Sequence, residues 1–355
     1  MSEQIAFGNA GPPPSAAPAE AQPPAPIPGG DQGQASAPRL RDLNDGQLVD
    51  CVFAVREREL RQKRNGEDWL RVTLADGTGT VIGIAWDGVR ECFEAAAPGA
   101  VVRVTGRFSI HQQYGKQIKL DSIRLAEPHE YDEEELADQP QIPLERLEAD
   151  LRSLLETIQH PSLRELLDRF FGAESSIWER FREAPAAKYY HQAYRGGLLE
   201  HALSVAQAVS AAAAFFPGID RDVAVTGALL HDIGKTQAYN DDPLAIDLTD
   251  AGRLQGEIPL GYYRVRREIE EIEGFEPELA QSVLHIILSH HGSLEHGSPV
   301  VPCTREATLV HAMDNLGGKL GSFDRIEREL GEGENWSRFD RGLSAAAYFG
   351  QRDAA

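Results

Sequence analysis

At 355 residues, with 41% hydrophobic and 26% charged residues, the chain is long enough for two folded domains and is composed like a soluble globular protein. The formal net charge is −21, which argues against a chain that wraps nucleic acid along its whole surface, and no apolar run approaches the roughly 20 residues of a membrane span. Cys51, Cys92 and Cys303 are too far apart for a metal or redox spacing, and no basic-then-apolar segment opens the chain. A cytoplasmic protein without a secretory signal is therefore expected.

Residues 1–38 are mostly Pro, Ala, Gly and Gln and hold no Lys or Arg. Such a segment cannot bury enough surface to offset its ordering entropy, and a disordered tail is expected. Residues 39–127 hold 14 basic against 13 acidic groups, whereas 128–150 hold one against nine. The acid is thus concentrated in a linker at 128–143 and in the C-terminal part of the chain.

Between the tail and the linker, period-two alternation predicts five strands near 47–58, 67–75, 79–86, 100–109 and 115–125. Leu70, Val72 and Leu74 alternate with Trp69, Arg71 and Thr73, while Val102, Val104 and Phe108 alternate with Arg103, Thr105 and Arg107. Asp87–Ala97 reads as a short helix ended by Pro98-Gly99. Five strands with a helix after the third is the order of an OB-fold barrel, with a plain β-sandwich as the alternative. Trp86 alternates with Ile82 and Ile84 and is assigned to the core.

After the linker, apolar residues recur at helical spacing in 144–158, 162–171, 198–216, 222–233, 262–272, 278–290 and 306–320. Gly234 and Gly292 are read as C-terminal helix caps. The fold class is multidomain: an all-β barrel over 39–127, then an all-α domain over 144–340 and a C-terminal tail over 341–355.

Four helical segments carry the chemistry: GGLLEH ending at His201, LLHDIGK with His231 and Asp232, SHHG with His290 and His291, and HAMDN with Asp314. Divalent ions that activate water need neutral imidazoles and carboxylates with open coordination positions, and helices supply such ligands across a bundle core. Isolated His160, His191 and His285 are read as packing or surface residues, and His311, which shares a helix face with Asp314, as packing, with support of a neighbouring ligand as the alternative. An adjacent His-Asp pair ending an apolar helix, followed by Lys235, is harder to assign to packing.

These segments resemble the HD phosphohydrolase superfamily, whose ordered His…His-Asp…Asp signature matches His201, His231-Asp232 and Asp314. HQAYRGGLLEHALSVA, ALLHDIGK, SHHGSLEHGSPVVP and EATLVHAMDNL are more closely similar to the YhaM-type 3′–5′ exoribonucleases, which join an OB-fold to an HD domain. The resemblance covers about residues 45–340. It implies that His201, His231, Asp232 and Asp314 hold a first metal, and that His290 and His291 serve a second. It further implies release of nucleoside 5′-monophosphates from single-stranded RNA, with DNA as a further substrate, and leans toward a homo-oligomer.

Two departures stand out. Gly256-Glu257-Ile258 occupies the place of the usual Gly-His-Ile, and the family's later aspartate is replaced by Asn315-Leu316-Gly317-Gly318-Lys319. Glu257 as a ligand favours a harder ion, so Mn²⁺ is expected, with Mg²⁺ or another divalent ion as alternatives. In the same reading Asp232 orients the attacking water, while Lys235 and Arg195 face phosphate.

Single-strand binders combine stacking aromatics with cations along the backbone. Arg61, Lys63 and Arg64 are predicted in the loop between the first two strands, and Tyr114 and Lys116 in the loop between the last two. Trp69, Arg71, Arg103 and Arg107 share the polar strand face. The competing readings are an HD phosphohydrolase of a small nucleotide or cyclic dinucleotide, and a non-catalytic nucleic-acid-binding protein.

Overall fold

Alternating apolar residues between Leu48 and Leu125 close on themselves. The computed structural model describes residues 38–111, 114–137, 140, 142–188, 192–330 and 333–350; the predicted 1–38 tail lies outside them apart from Pro38, as does His191. Strands β1 (Leu48–Gln62), β2 (Asp68–Asp76), β3 (Gly79–Ala85), β4 (Val101–His111) and β5 (Gly115–Leu125) form a closed barrel in the order β1-β2-β3-β5-β4. Closure comes from a parallel pairing of β3 with β5 at Ile82–Ile84 and Gln117–Lys119, and helix α1 (Val89–Ala95) follows β3. This is the OB-fold topology predicted from the strand order.

Phe53, Leu70, Val72, Leu74, Val104, Phe108 and Ile118 fill the interior. On β3 the expected face is reversed. Val81, Gly83 and Ala85 point inward, so Ile82, Ile84 and Trp86 share the outer face and Trp86 is 40% exposed. The cause is room: a Cβ on Gly83 would stand 2.8 Å from Val72 Cγ1 and 2.9 Å from Leu120 Cδ1, so at this level the barrel has no space for Ile or Trp.

The acidic run after β5 is a strap on the barrel. Glu130 binds Arg124 at 2.7 Å and Arg103 at 2.8 Å. The short helix α2 (Glu133–Leu136) takes the backbone N–H of Gly77 on Glu135 O and buries Leu136.

The helical domain contains α3 (Leu144–Leu155), α4 (Pro161–Phe171), α5 (Trp178–Glu183), α6 (Gly197–Ala213), α7 (Arg221–Leu230), α8 (Lys235–Ala238), α9 (Asp250–Gln255), α10 (Glu257–Glu270), α11 (Pro277–Ser289) and α12 (Arg305–Glu329). Helices α6, α11 and α12 pack on α7, which is buried along most of its length between Val223 and Leu230. The apolar stripes read from the sequence form one core, including Leu163, Phe170, Leu198, Val205, Leu229, Ile286 and Val310.

Of the two predicted glycine caps, Gly292 has φ +83° and ends α11 as expected. Gly234 has φ −65° and lies before α8. It is required for a different reason: a Cβ there would stand 1.9 Å from the Glu257 carbonyl oxygen and 2.6 Å from the Gly261 nitrogen. Its bare backbone lets α10 lie against the segment that carries His231 and Asp232.

The predicted tail at 341–355 instead continues an antiparallel hairpin, β6 (Trp336–Asp340) and β7 (Ala345–Tyr348), as far as the described residues reach. Arg325 on α12 holds Asp340 at 2.5 Å, and Phe349 meets Phe323 edge-on. Barrel and helical domain touch through Ala54, Val101, Leu136 and Leu244, through Arg56 donating to Pro243 O, and through Lys188 between Glu57 and Asp247. Among the described residues no helix is long and apolar enough to cross a membrane.

Candidate metal centre and nucleic-acid face

Four helices deliver their polar residues to one point. His201 lies on α6, His231 and Asp232 follow α7, His290 follows α11, and Asp314 lies on α12. His201 Nε2 is 3.0 Å from Asp314 Oδ1 and 3.4 Å from Asp232 Oδ2, while His231 Nε2 is 3.2 Å from Asp232 Oδ2 and 3.3 Å from His201 Nε2. Two overlapping sets, His201–His231–Asp232 and His231–His290–Asp314, each bring their ligand atoms within 4.8 Å of one another. All five side chains are buried or nearly so.

The rings are held from behind. His231 Nδ1 lies 2.6 Å from Ala228 O and His290 Nδ1 lies 2.8 Å from Ile287 O. A carbonyl oxygen only accepts, so each Nδ1 carries the proton and each Nε2 offers a lone pair to the cluster. His311 in turn donates from Nδ1 to the His290 carbonyl at 2.7 Å, supporting that residue from behind.

The donor set suits a divalent cation on an observation internal to the site. Asp232 Oδ1 and His290 Nε2 are buried, 3.5 Å apart, and neither has a hydrogen-bond partner. Buried polar atoms are costly when unsatisfied, and a carboxylate oxygen facing an imidazole lone pair is satisfied by a shared cation.

Burial opposes the charge on Asp232, but Lys235 and His231 outweigh it and hold the carboxyl well below the usual range. Lys235 Nζ sits 2.6 Å from Asp232 Oδ2 and stays charged despite burial because of that carboxylate. Beside the cluster, His291 faces Glu257 at 3.7 Å, and its Nδ1 meets His296 O at 2.9 Å. Burial, and after it the neighbouring His290, pushes the His291 imidazole toward its neutral form. The predicted site residues His201, His231, Asp232, His290, His291, Glu257, Asp314 and Lys235 therefore converge. Arg195 does not: it is exposed and pairs with Glu183.

The cluster opens into a cavity of about 370 Å³, also lined by His296, Asn315, Gly318, Lys319, Ser322 and Gly342. Sequence reasoning misses His296 and Lys319 as pocket residues. Lys319 lies on α12 like Asp314, and both line the cavity.

On the barrel, Trp69 and Trp86 stack with centroids 5.1 Å apart and planes 25° apart. Arg61 lies over Trp69 at 5.6 Å and Lys63 over Trp86 at 5.2 Å. Arg61 belongs to β1, opposite Trp69, and Lys116 to β5, opposite Ile110, because both hairpins pair further toward their tips than the alternation indicates. Tyr114 is 62% exposed at the β4–β5 turn, and Arg64 is exposed beyond β1. Register aligns Arg107 with Lys119, Lys119 with Ile84 and Ile84 with Arg71, a cationic row across four strands that adds Lys119 to the predicted set. Arg107 donates to Gly46 O and stays exposed. Arg103 is bound to Asp50 at 2.6 Å and to Glu130, so its charge is matched within the protein.

The HD domain family matches residues 198–318, and the family described as OB-fold nucleic acid binding domain matches residues 52–126. A solved OB-fold, the second such domain of replication protein A from Methanococcus maripaludis, aligns with 25% of this chain and 93% of its own at 18% identity and a TM-score of 0.21. The 3′-5′ exoribonuclease YhaM of Bacillus subtilis (strain 168) is 28% identical over 82% of this chain and 92% of its own length. That of Oceanobacillus iheyensis is 29% identical over 81% and 90%, and that of Geobacillus sp. (strain WCH70) is 30% identical over 81% and 88%. Since the Geobacillus relative is 30% identical and the match covers more than four-fifths of both chains, this protein belongs to the YhaM family of 3′-5′ exoribonucleases.

Proposed function

We propose that the protein is a metal-dependent 3′–5′ exonuclease that shortens single-stranded RNA to nucleoside 5′-monophosphates, with single-stranded DNA as a further substrate. The observation that carries the proposal is the buried cluster, in which Asp232 Oδ1 and His290 Nε2 face one another without partners. In this reading His201, His231, Asp232 and Asp314 hold one divalent ion, and His290, His291 and Glu257 contribute a second position. A bound divalent ion supplies a water of lowered pKa and polarises a phosphate oxygen.

The chain's own residues do the rest. Asp232 orients the attacking water. Lys235, fixed on Asp232, limits the negative charge that meets the incoming phosphodiester. Lys319, exposed on the cavity wall, is the cation best placed to receive the phosphate. Arg195, paired with Glu183, is left out of the set. Trp69 and Trp86, with Arg61, Arg71 and Lys119, hold the strand on the barrel. The carboxylates of Asp232, Asp314 and Glu257 favour Mn²⁺ over Zn²⁺.

The test is an assay of chelated, desalted protein on 5′-labelled single-stranded RNA and on a panel of free and cyclic nucleotides, with Mn²⁺, Mg²⁺ or Zn²⁺ restored. Expected are no activity without metal, strongest activity with Mn²⁺, a ladder shortened from the 3′ end, and 5′-monophosphates as products. Full activity after chelation, or hydrolysis confined to the small nucleotides, overturns the proposal.

A further inference from the structure

The C-terminal hairpin lies outside both matched domains and carries three exposed aromatic rings: Trp336 at 61%, Phe339 at 70% and Tyr348 at 56%. Exposed rings on a small hairpin cost solvation without contributing to the core. Two of them are organised. Trp336 and Tyr348 are cross-strand partners with ring centroids 4.8 Å apart and planes 39° apart.

The position of the hairpin is as informative as its composition. The turn between its strands places Gly342 in the wall of the metal cavity, where a Cβ would stand 3.3 Å from Ser322 Oγ, itself a lining residue. At the other side, Arg338 Nη1 lies 3.5 Å from the Cβ position of Gly115, beside Tyr114 in the β4–β5 turn. The hairpin therefore touches both the cavity and the barrel. Strand β6 from Trp336 to Asp340 spans roughly 13 Å.

We infer that the β6–β7 hairpin is a stacking platform for single-stranded nucleic acid, carrying the strand from the barrel turn at Tyr114 to the metal cavity, with Trp336 and Tyr348 as its base-stacking residues. The inference rests on the exonuclease reading. A strand that binds the barrel and is cut in the helical domain must cross the surface between them. On that surface the described residues offer paired rings, with Arg338 two residues further along β6, and rings together with cations bind bases without regard to sequence. The hairpin meets the cavity at Gly342 and the barrel's β4–β5 turn at Arg338, which favours a strand over a protein partner.

The test uses the full chain with metal removed, so that binding is read without cleavage. Affinity for labelled single strands of about 4 and about 12 nucleotides is measured for wild type, Trp336→Ala, Tyr348→Ala and Trp336→Phe. Loss of one stacked base weakens binding at least about fivefold. That loss is expected for the 12-nucleotide strand in both alanine variants, at unchanged melting temperature, while Trp336→Phe stays within about threefold of wild type. Independently, wild-type protein irradiated with a 4-thiouridine strand should cross-link within the peptide carrying Trp336. Unchanged affinities together with cross-links confined to the barrel overturn the inference. A change in particle mass by sedimentation, with RNA affinity unaltered, assigns the face to a second copy of the chain and also overturns it. An inactive wild type that still loses affinity in the hairpin variants would instead sink the exonuclease reading alone.

Discussion

The metal centre and the barrel face use the same kinds of side chain under opposite conditions. In the helical domain the polar groups are buried, their ring orientations are set by backbone carbonyls, and Lys235 is already committed to Asp232. On the barrel the rings and cations are half-buried or exposed, and Trp69, Trp86, Arg61 and Lys63 lean on one another on its outer face. Chemistry on a phosphodiester needs ligands fixed to a fraction of an ångström. Holding a strand of any sequence needs rings and charges that adapt to each base. The first region should therefore fail abruptly when altered, and the second by degrees.

The sharpest way to break the comparison is Asp232→Asn. Turnover on single-stranded RNA should fall at least about a hundredfold, the scale of losing one well-placed electrostatic group. Affinity for RNA should stay within about twofold, since the barrel is untouched. A folded variant with near wild-type turnover would show that the cluster is not the reaction centre.

Gly234→Ala should be nearly as damaging by another route. The added methyl meets the backbone of α10 at 1.9 Å, so the helix must move, and overpacking of this kind costs about 1–3 kcal/mol or more. A melting temperature lowered by roughly 4–10 °C is expected, with weaker metal uptake because Glu257 moves with α10. An unchanged thermal transition would contradict the close packing.

Trp69→Ala and Trp86→Ala should each weaken single-strand binding about five- to tenfold while leaving the melting temperature nearly unaltered. Equal effects would identify the stacked pair as one unit, and an effect at Trp69 alone would reduce Trp86 to a support.

The smallest expected change is at Arg103. Its partners Asp50 and Glu130 already match its charge, so Arg103→Ala should alter RNA affinity less than about twofold. What it should alter is acid stability. Glu130 is held well below the usual carboxylate range by Arg124, by the Glu127 backbone and by Arg103, and Asp50 is lowered chiefly by Arg103. Carboxylates with depressed folded-state values stabilise the protein above their unfolded values of about 4 and lose that contribution as pH falls below them. The gap in melting temperature between wild type and variant should therefore be widest near neutral pH and shrink below about pH 4. A gap that widens in acid would refute the assignment.

The uneven legibility of the sequence has physical causes. Adjacent His231 and Asp232 at the end of an apolar helix are local information, so the convergence of the histidine–aspartate cluster can be read directly. Trp86 reads as a core residue because alternation fixes the phase of a strand but not which face is inward. The narrow interior at Gly83 decides that, and it depends on Val72 and Leu120 from other strands. Arg103 looks available because its partner Glu130 sits in an acidic run that reads as a linker and folds as a strap. The hairpin escapes sequence reading since Trp336–Asp340 and Ala345–Tyr348 lack β-branched alternation, and contacts from Arg325 and Phe323 hold it.

Two of the cluster histidines also decide how their helices end. The last carbonyls of a helix have no partner within it. Here Ala228 O, near the end of α7, is met by the ring of His231, and Ile287 O, near the end of α11, by the ring of His290. Each imidazole therefore terminates its own helix with one nitrogen while presenting the other to the centre. A change to alanine removes both services, so a loss of activity would be confounded with a frayed helix end. Glutamine, which can still donate to the carbonyl while presenting a poorer ligand, is the substitution that separates them. In this chain, ending two helices and building the centre are one structural act.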